Sequence, residues 1–420
     1  MGITVKGHTA PGFEAVESAF KAGFDVDERM GAGLSIWQDG EEVVNLSAGL
    51  AEPNIAKPWS EDTTAVVFSC TKGLMSILAA QLVQQGHLDY DRPVADYWPE
   101  FEAGGKGNIT VADALAHRAG LSALHSPAEF SDIVHWQPVV ERLAEQTPLW
   151  LPGTGYAYHA LTHGWLVGEI FRRVTGESVK SLFNRLIARP LNAEAWIGLP
   201  EGQEDRVAHI GCSQALYDFW QNEQANDSDA SPNWLYRAMT LGNALPATLI
   251  TEDGGFNDPR LHQAEIPGAG GIATATALGS IWSATVTPTR GVRLIDDATM
   301  QAAVTLTSEG EPVFPVPGPF PRYGRGFQLD SPARRYLSED SFGHDGAGGQ
   351  VVFADKAQRI GFAYVTNWMF GLEDQRATRI IDALRQVLKE KPGVSVDQAS
   401  ADSLASQSSF TSKNHSTNVS

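Results

Sequence analysis

A serine and a lysine three residues apart, at the start of a predicted helix, are the residues whose types and spacing suggest chemistry. Ser69 ends an apolar run and precedes apolar residues at helical spacing, and Gly86 ends the pattern. Free backbone N–H groups and the helix dipole favour negative charge at such an N-terminus. Lys72 shares one face of the helix with Ser69, and a desolvated lysine can take a serine proton. The pair predicts a nucleophilic serine with a lysine base, or else an N-cap serine with a structural role.

Two nearby candidates have weaker support. Ser18 and Lys21 repeat the spacing, but they lie inside an amphipathic helix pattern rather than at its start, so we interpret this copy as chance. Cys70 is a second potential nucleophile. It lies about 200° around the helix from Lys72, which predicts a small buried residue that faces away from the lysine.

A tyrosine follows a Pro-Gly turn and precedes another predicted helix. In such a loop Tyr158 is commonly a packing residue. Beside Ser69 and Lys72, however, it is able to share the proton as a phenolate-type base.

A glycine-rich segment lies near the end of the chain, at the opening of a strand. Residues 343–349 contain four glycines, which allow a backbone to approach a ligand closely. The segment predicts either a hairpin with a bulge or a functional strand. In the functional interpretation, the N–H groups of Ala347 and Ser69 form an oxyanion hole.

Two further patterns suggest ligands but are better explained by structure. His159 and His163 have the spacing of a zinc-binding helix, but Ala160 stands where that motif carries a glutamate. Residues 268–271 are glycine-rich and precede a helix, but no apolar strand comes before them, so we interpret them as a turn rather than a phosphate site. We therefore expect neither a metal nor another cofactor.

The elements that must position these residues are strands at both ends of the chain and helices between them. Predicted strands span 32–37, 42–50, 323–329, 350–354 and 360–366, with a hairpin turn at Asp39 and Gly40. Predicted helices span 12–24, 74–85, 111–118, 128–145, 161–175, 177–188, 213–223, 274–286 and 377–388.

This order predicts an α+β fold in which one antiparallel sheet is closed by both termini and flanked by the N- and C-terminal helices. A mostly helical lobe is inserted in the middle. The predicted units are residues 1–68 with 320–393 for the sheet domain and 69–319 for the lobe. Residues 394–420 are polar and are expected to be a disordered tail.

Composition narrows the classes of partner. The 420 residues carry a formal charge of −19, which disfavours nucleic acid and anionic membranes. Two cysteines allow no disulfide framework beyond a single bridge, and no apolar segment has transmembrane length. We expect a soluble, cytoplasmic protein that acts on a small molecule. Its oligomeric state does not follow from the sequence.

Several motifs together resemble a known family. Residues 68–73, 115–121, 158–165 and 343–349 are similar to motifs of the class C β-lactamase and D-alanyl-D-alanine peptidase fold, and more similar still to those of the family VIII carboxylesterases. The likeness covers roughly residues 10–390. It implies Ser69 as nucleophile, Lys72 and Tyr158 as the groups that move its proton, and the amides of Ser69 and Ala347 as oxyanion hole.

The resemblance also implies substrate-binding residues, some of which depart from the lactamase pattern. His344, Asp345 and Gly346 stand in place of Lys-Thr-Gly, and His159 and Ala160 complete what would be Tyr-x-Asn. His344, Asp345, Gly346 and His159 are expected to line the substrate site. Because an aspartate would repel a substrate carboxylate, we expect neutral esters to be preferred over penicillins and cephalosporins.

The sequence thus predicts a serine carboxylesterase that hydrolyses small neutral esters through an acyl-enzyme on Ser69. Three alternatives remain open. They are an acyltransferase that uses the same acyl-enzyme, a β-lactamase or D-Ala-D-Ala peptidase, and a non-catalytic sensor that stays acylated.

Overall fold

A nine-stranded antiparallel sheet forms the centre of the fold within residues 3–371 and 373–390, the part of the chain that the computed structural model describes. The strands are β1 (Lys6–Thr9), β2 (Gly31–Gln38), β3 (Glu41–Glu52), β4 (Lys57–Pro58), β5 (Ala65–Val66), β6 (Ala195–Ile197), β7 (Gly211–Cys212), β8 (Gly271–Ala273), β9 (Arg322–Tyr323), β10 (Gln328–Leu329), β11 (Ser341–Gly346), β12 (Gln350–Asp355), β13 (Ile360–Thr366) and β14 (Trp368–Met369). The order in the large sheet is β1-β3-β2-β13-β12-β11-β10-β9, with β4 on β3. Strands from both ends of the chain therefore meet at the pair β2–β13.

Helices supply the other layers. They are α1 (Glu14–Ala22), α2 (Cys70–Gln84), α3 (Val111–Leu115), α4 (Phe130–Val134), α5 (Trp136–Glu145), α6 (Thr162–Thr175), α7 (Val179–Phe183), α8 (Arg189–Leu191), α9 (Gln214–Ala225), α10 (Trp234–Thr240), α11 (Pro259–Gln263), α12 (Ala275–Val286), α13 (Asp297–Ala303) and α14 (Arg376–Glu390). A π-helical turn over Asn184–Ala188 joins α7 to α8.

One face of the sheet is covered by the terminal helices. The apolar stripes of α1 and α14 pack together and against side chains of the central strands, such as Phe353 and Phe362. Because β-strand side chains alternate between faces, the intervening residues Val352 and Ala363 belong to the other core, beneath α12 and α2. The site described below lies on that second face.

The predicted β2–β3 hairpin is present. Asp39 and Gly40 at its tip have φ angles of 55° and 85°, as a two-residue turn of this kind requires. The predicted fold class is confirmed by the antiparallel sheet, the two flanking terminal helices and the mostly helical middle of the chain.

The domain boundaries stay a prediction, but α12 lies differently from expectation. The sequence assigned it to the helical lobe, whereas it packs on β2, β12 and β13. The predicted tail, 394–420, lies outside the described residues. Within the described ranges, no helix has the length and apolar character that crossing a membrane requires.

Candidate active site

Ser69 lies between a short strand and a helix, on a backbone held in an unusual conformation. Phe68 has a φ of 42°, which a bulky side chain rarely adopts. Its buried ring packs edge-on against Phe256, with 5.1 Å between the ring centroids, and its backbone bridges to Gly270. These contacts hold the turn, so that Ser69 occupies the N-terminus of α2 and stays half-buried.

Lys72 is buried on the first turn of α2, directly beside the serine. Its Nζ lies 3.1 Å from Ser69 Oγ and donates to the carbonyl oxygens of Ala160 and Gly268, each at 2.6 Å. Burial lowers the pKa of Lys72 well below its usual value. A neutral amine has two hydrogens and one lone pair. Because the two carbonyls take the hydrogens, the lone pair is left for the Ser69 proton.

The glycine-rich turn at 268–271 has a structural role, because it positions a carbonyl oxygen that accepts a hydrogen bond from Lys72. Gly164 allows the turn to pack closely against α6, because a Cβ at position 164 would clash with the backbone nitrogen of Gly268. Gly271 N then donates to Thr71 Oγ1 over 2.8 Å. The turn is thereby fixed against α2, with the Gly268 carbonyl aimed at the amine.

Tyr158 lies over the same amine. Its ring centroid is 4.9 Å from Lys72 Nζ. Burial raises the pKa of Tyr158 well above its ordinary value, and a hydrogen bond with the Ser69 side chain only partly opposes this. Tyr158 is therefore a protonated phenol in the free protein. For Tyr158, the structure thus favours a phenol that relays a proton over the phenolate-type base suggested by the sequence.

Four buried histidines surround this pair. The His117 ring lies 4.7 Å from Tyr158, 5.6 Å from His159 and 5.1 Å from His163, measured between centroids. Desolvation lowers the pKa of His117 and His163 well below 6.5, that of His159 to about 4 and that of His344 to about 3. All four are therefore neutral near pH 7, and the pocket around Lys72 is uncharged. No group of three or more His, Cys, Asp and Glu side chains in the described residues is arranged to hold a metal ion.

His159 does not line the substrate site, so that expectation is wrong. Its Nε2 accepts from the backbone N–H of Leu121 at 3.1 Å, and its Nδ1 lies 2.7 Å from the carbonyl oxygen of Ala157. Both ring nitrogens are thus bonded to backbone in a fully buried position. The side chain instead fixes the loop at Leu121 against the segment that carries Tyr158.

The end of β11 lies beside the start of α2, as the oxyanion-hole hypothesis requires. Gly346 permits this, because a Cβ on it would lie 2.6 Å from the carbonyl oxygen of Val67. Gln350 secures the same junction by donating to Val66 O over 2.7 Å. Ala347 opens the turn that joins β11 to β12. Its role as an oxyanion donor stays a prediction.

His344 and Asp345 point to opposite faces of β11. His344 lies on the site face, where its ring is 6.1 Å from that of Tyr158 and its Nδ1 is 2.8 Å from Asp345 O. The Asp345 carboxylate accepts from Arg334 Nε at 2.6 Å and from the Tyr336 hydroxyl at 3.3 Å. Arg334 in turn donates to Thr378 on α14. The expectation that Asp345 faces the pocket is therefore wrong, because strand alternation places it on the other face and Arg334 compensates its charge.

A cavity of about 150 Å³ adjoins Tyr158. Its walls include Tyr323, Trp234 and Phe314, together with several prolines of the segment 312–321. Sequence reasoning missed these residues. The aromatic residues come from distant segments with no shared spacing, so no local pattern reveals them. The one sequence feature that could have indicated this cavity wall is the high proline content of residues 312–321.

Comparison with known proteins places this geometry in a family. The Beta-lactamase family model matches residues 16–386. The chain belongs to the Beta-lactamase family. Esterase/beta-lactamase LipL of Mycobacterium tuberculosis is 32% identical over 380 residues, which cover 87% of this chain and 83% of LipL.

Solved structures of this family agree with the fold. A family VIII carboxylesterase superposes with a TM-score of 0.81 at 32% identity, covering 92% of this chain and 100% of that chain. A penicillin-binding protein homologue from Caulobacter crescentus gives a TM-score of 0.80, also at 32% identity, covering 91% of this chain and 100% of its own. The predicted resemblance is confirmed, and the protein is a serine hydrolase related to the family VIII carboxylesterases.

Proposed function

We propose that this Beta-lactamase family member is a serine carboxylesterase that hydrolyses neutral esters through an acyl-enzyme on Ser69. The observation that carries the proposal is the hydrogen bonding of Lys72. Its buried Nζ donates to two backbone carbonyls and lies 3.1 Å from Ser69 Oγ. A neutral amine held in this way is a base aimed at one hydroxyl.

The proposed reaction has two acyl transfers. Ser69 Oγ attacks the ester carbonyl while its proton passes to Lys72, and the amides of Ser69 and Ala347 stabilise the oxyanion. Tyr158, protonated and with its ring centroid 4.9 Å from Lys72 Nζ, relays a proton to the leaving alkoxide. Water then attacks the acyl-enzyme, loses its proton to the same pair, and releases the acid and the Ser69 hydroxyl.

The preference for neutral substrates rests on the uncharged site rather than on Asp345. His344 occupies the place of the lactamase lysine, and its pKa of about 3 leaves it neutral. The residues that line the cavity beside Tyr158 also have uncharged side chains within the described part of the chain. A substrate carboxylate would lose its hydration there without gaining a cationic partner.

The test is a panel of p-nitrophenyl esters of rising acyl length, run beside a chromogenic cephalosporin. We expect turnover of the esters, and loss of nearly all activity in Ser69→Ala with the fold retained, since the Ser69 side chain makes no N-cap hydrogen bond that the substitution would remove. Ser18→Ala is the matched control, because Ser18 has the same spacing to a lysine but lies on the exposed face of α1. A serine-directed fluorophosphonate should label the Ser69 peptide alone.

Other results would indicate a different nucleophile or a different activity. Labelling at Ser18 or Cys70 would remove Ser69 as the nucleophile. An acyl-enzyme that forms once and does not turn over would indicate a sensor, and transfer to an added alcohol in preference to water would indicate an acyltransferase.

A second candidate function is β-lactam hydrolysis. It is favoured by the relative LipL, whose name joins esterase and beta-lactamase. The cephalosporin arm of the panel measures it directly. We expect its kcat/KM to be lower than that of the best ester.

A further inference from the structure

We infer that the cavity beside Tyr158 binds the alcohol portion of the ester, and that this alcohol carries an uncharged aromatic ring and one hydrogen-bond acceptor bound by Ser122. The inference rests on the proposed function and specifies its substrate class. It follows from the position of the cavity, the chemistry of its walls and one unpartnered hydroxyl.

The position of the cavity determines which half of the ester it receives. Tyr158 forms one of its walls. In the proposed reaction Tyr158 delivers the proton to the leaving oxygen, so the alcohol must lie against Tyr158 when the ester bond breaks. A group that extends from the leaving oxygen past the tyrosine enters this cavity.

The walls suit a planar apolar group. Trp234 and Phe314 stack with 6.1 Å between ring centroids, and Tyr323 stacks on Tyr158 at 6.2 Å. Aromatic rings favour such offset-stacked and edge-on partners. A cavity of about 150 Å³ has room for a substituted phenyl group rather than a long chain or a peptide.

The loop that closes the cavity is anchored to the segment leading to Tyr158. Val313 N donates to Tyr156 O over 2.8 Å, and the Tyr156 hydroxyl donates to Gly310 O over 2.7 Å. The next residue, Phe314, lines the cavity and also packs edge-on against Trp150, with 5.6 Å between the ring centroids. The aromatic wall is therefore built into the fold before a substrate arrives.

Ser122 supplies the polar contact. It lines the cavity, is 1% exposed, and its Oγ has no hydrogen-bond partner among the described residues. Its neighbour Leu121 is held by His159 and Thr162, which fixes the hydroxyl beside the Tyr158 segment. A buried hydroxyl without an acceptor is unfavourable, so an acceptor atom on the substrate would be preferred here.

The test uses acetates of paired alcohols, because a common acyl group gives every substrate the same acyl-enzyme. Each pair is a 2-(methoxyphenyl)ethyl and a 2-(ethylphenyl)ethyl acetate, with the substituent ortho, meta or para. An ether oxygen thus replaces one methylene, and two carbons insulate the leaving oxygen. We expect wild-type kcat/KM to favour the ether in at least one pair, and Ser122→Ala to reduce that preference about threefold to tenfold.

Controls separate this inference from the proposed function. Ser280→Ala removes a hydroxyl that is equally buried but bonded to Ala277 O, and should leave the ether preference unchanged. Phe314→Ala should lower kcat/KM for 2-phenylethyl acetate by at least about fivefold relative to ethyl acetate. An ether preference that is absent, or equal in Ser122→Ala and wild type, overturns the assignment to Ser122. No hydrolysis of any acetate or p-nitrophenyl ester would overturn the proposed function itself.

Discussion

The two faces of β11 differ in how they hold ionisable groups that are buried or half-buried. On the site face, His344 and Lys72 lie buried without an acidic partner among the described residues, and desolvation lowers the pKa of both. On the other face, Asp345 keeps a cationic partner, since Arg334 donates to it over 2.6 Å. Removing the charge and pairing the charge are the two ways to bury an ionisable group.

The same contrast separates two buried basic residues. Arg376 is 2% exposed and donates to the Asp374 carboxylate at 2.6 Å as well as to backbone carbonyls. Lys72 is equally buried, but its hydrogen-bond partners among the described residues are two carbonyls and a hydroxyl, with no carboxylate. An arginine stays charged and must be paired, whereas a lysine can lose its proton and act as a base. The face whose ionisable groups are neutral and lack an acidic partner is therefore the face equipped for proton transfer.

The largest expected effect comes from removing either of the two groups that move the Ser69 proton. Lys72→Ala and Tyr158→Phe should each lower kcat/KM for a p-nitrophenyl ester by about a hundredfold to ten-thousandfold. The losses should not add in the double variant, because the two groups move one proton together. Steady-state kinetics of the three variants measure this. Near wild-type turnover of Tyr158→Phe would remove Tyr158 from the mechanism.

Lys106 is the matched control for Lys72. It is also buried, it donates to three backbone carbonyls, and burial lowers its pKa to about 8. It has no serine beside it in the described structure. Lys106→Met should lower the melting temperature while kcat/KM per folded molecule stays within about threefold of wild type.

On the paired face, the expected effect is on stability rather than on rate. Asp345→Asn removes the charge that Arg334 needs and should lower the free energy of unfolding by about 1–3 kcal/mol, measured by urea denaturation. The ratio of ester to cephalosporin activity should not change. A gain in cephalosporin activity without loss of stability would show that Asp345 acts on the substrate after all.

Local patterns predicted the elements better than the directions of side chains. The Asp39–Gly40 turn and the helix after Ser69 follow from short-range chemistry and are present. The strand predicted over 323–329 is instead two short strands, Arg322–Tyr323 and Gln328–Leu329, separated by residues that include two glycines. The helix predicted over 128–145 breaks at His135, which is extended.

Site residues were harder because their roles depend on tertiary contacts. Alternation along β11 placed His344 and Asp345 on opposite faces, but the sequence did not show which face meets Ser69. The resemblance implied that His159 binds substrate, whereas both of its ring nitrogens bond to backbone groups. Ser122 and Phe314 join the site only through packing of distant loops.

The smallest expected effect concerns the buried thiol beside the nucleophile. Cys70 is fully buried, its Sγ lies 3.4 Å from His344 O, and burial raises the pKa of the thiol well above 9. Cys70→Ala should therefore keep kcat/KM within about threefold of wild type. Iodoacetamide should leave the native enzyme active. Rapid inactivation by iodoacetamide that Cys70→Ala abolishes would place the thiol in the reaction.

The pH dependence of acylation tests most directly whether Lys72 is a neutral base. A burial-lowered pKa means that the amine loses its proton at a pH well below that of an ordinary lysine and becomes protonated only as the pH falls through that lowered value. Stopped-flow burst rates with p-nitrophenyl acetate should therefore rise with pH and reach a plateau well below the ordinary lysine pKa of about 10.4. A burst rate that still rises about tenfold per pH unit up to that ordinary value would contradict a neutral Lys72 base.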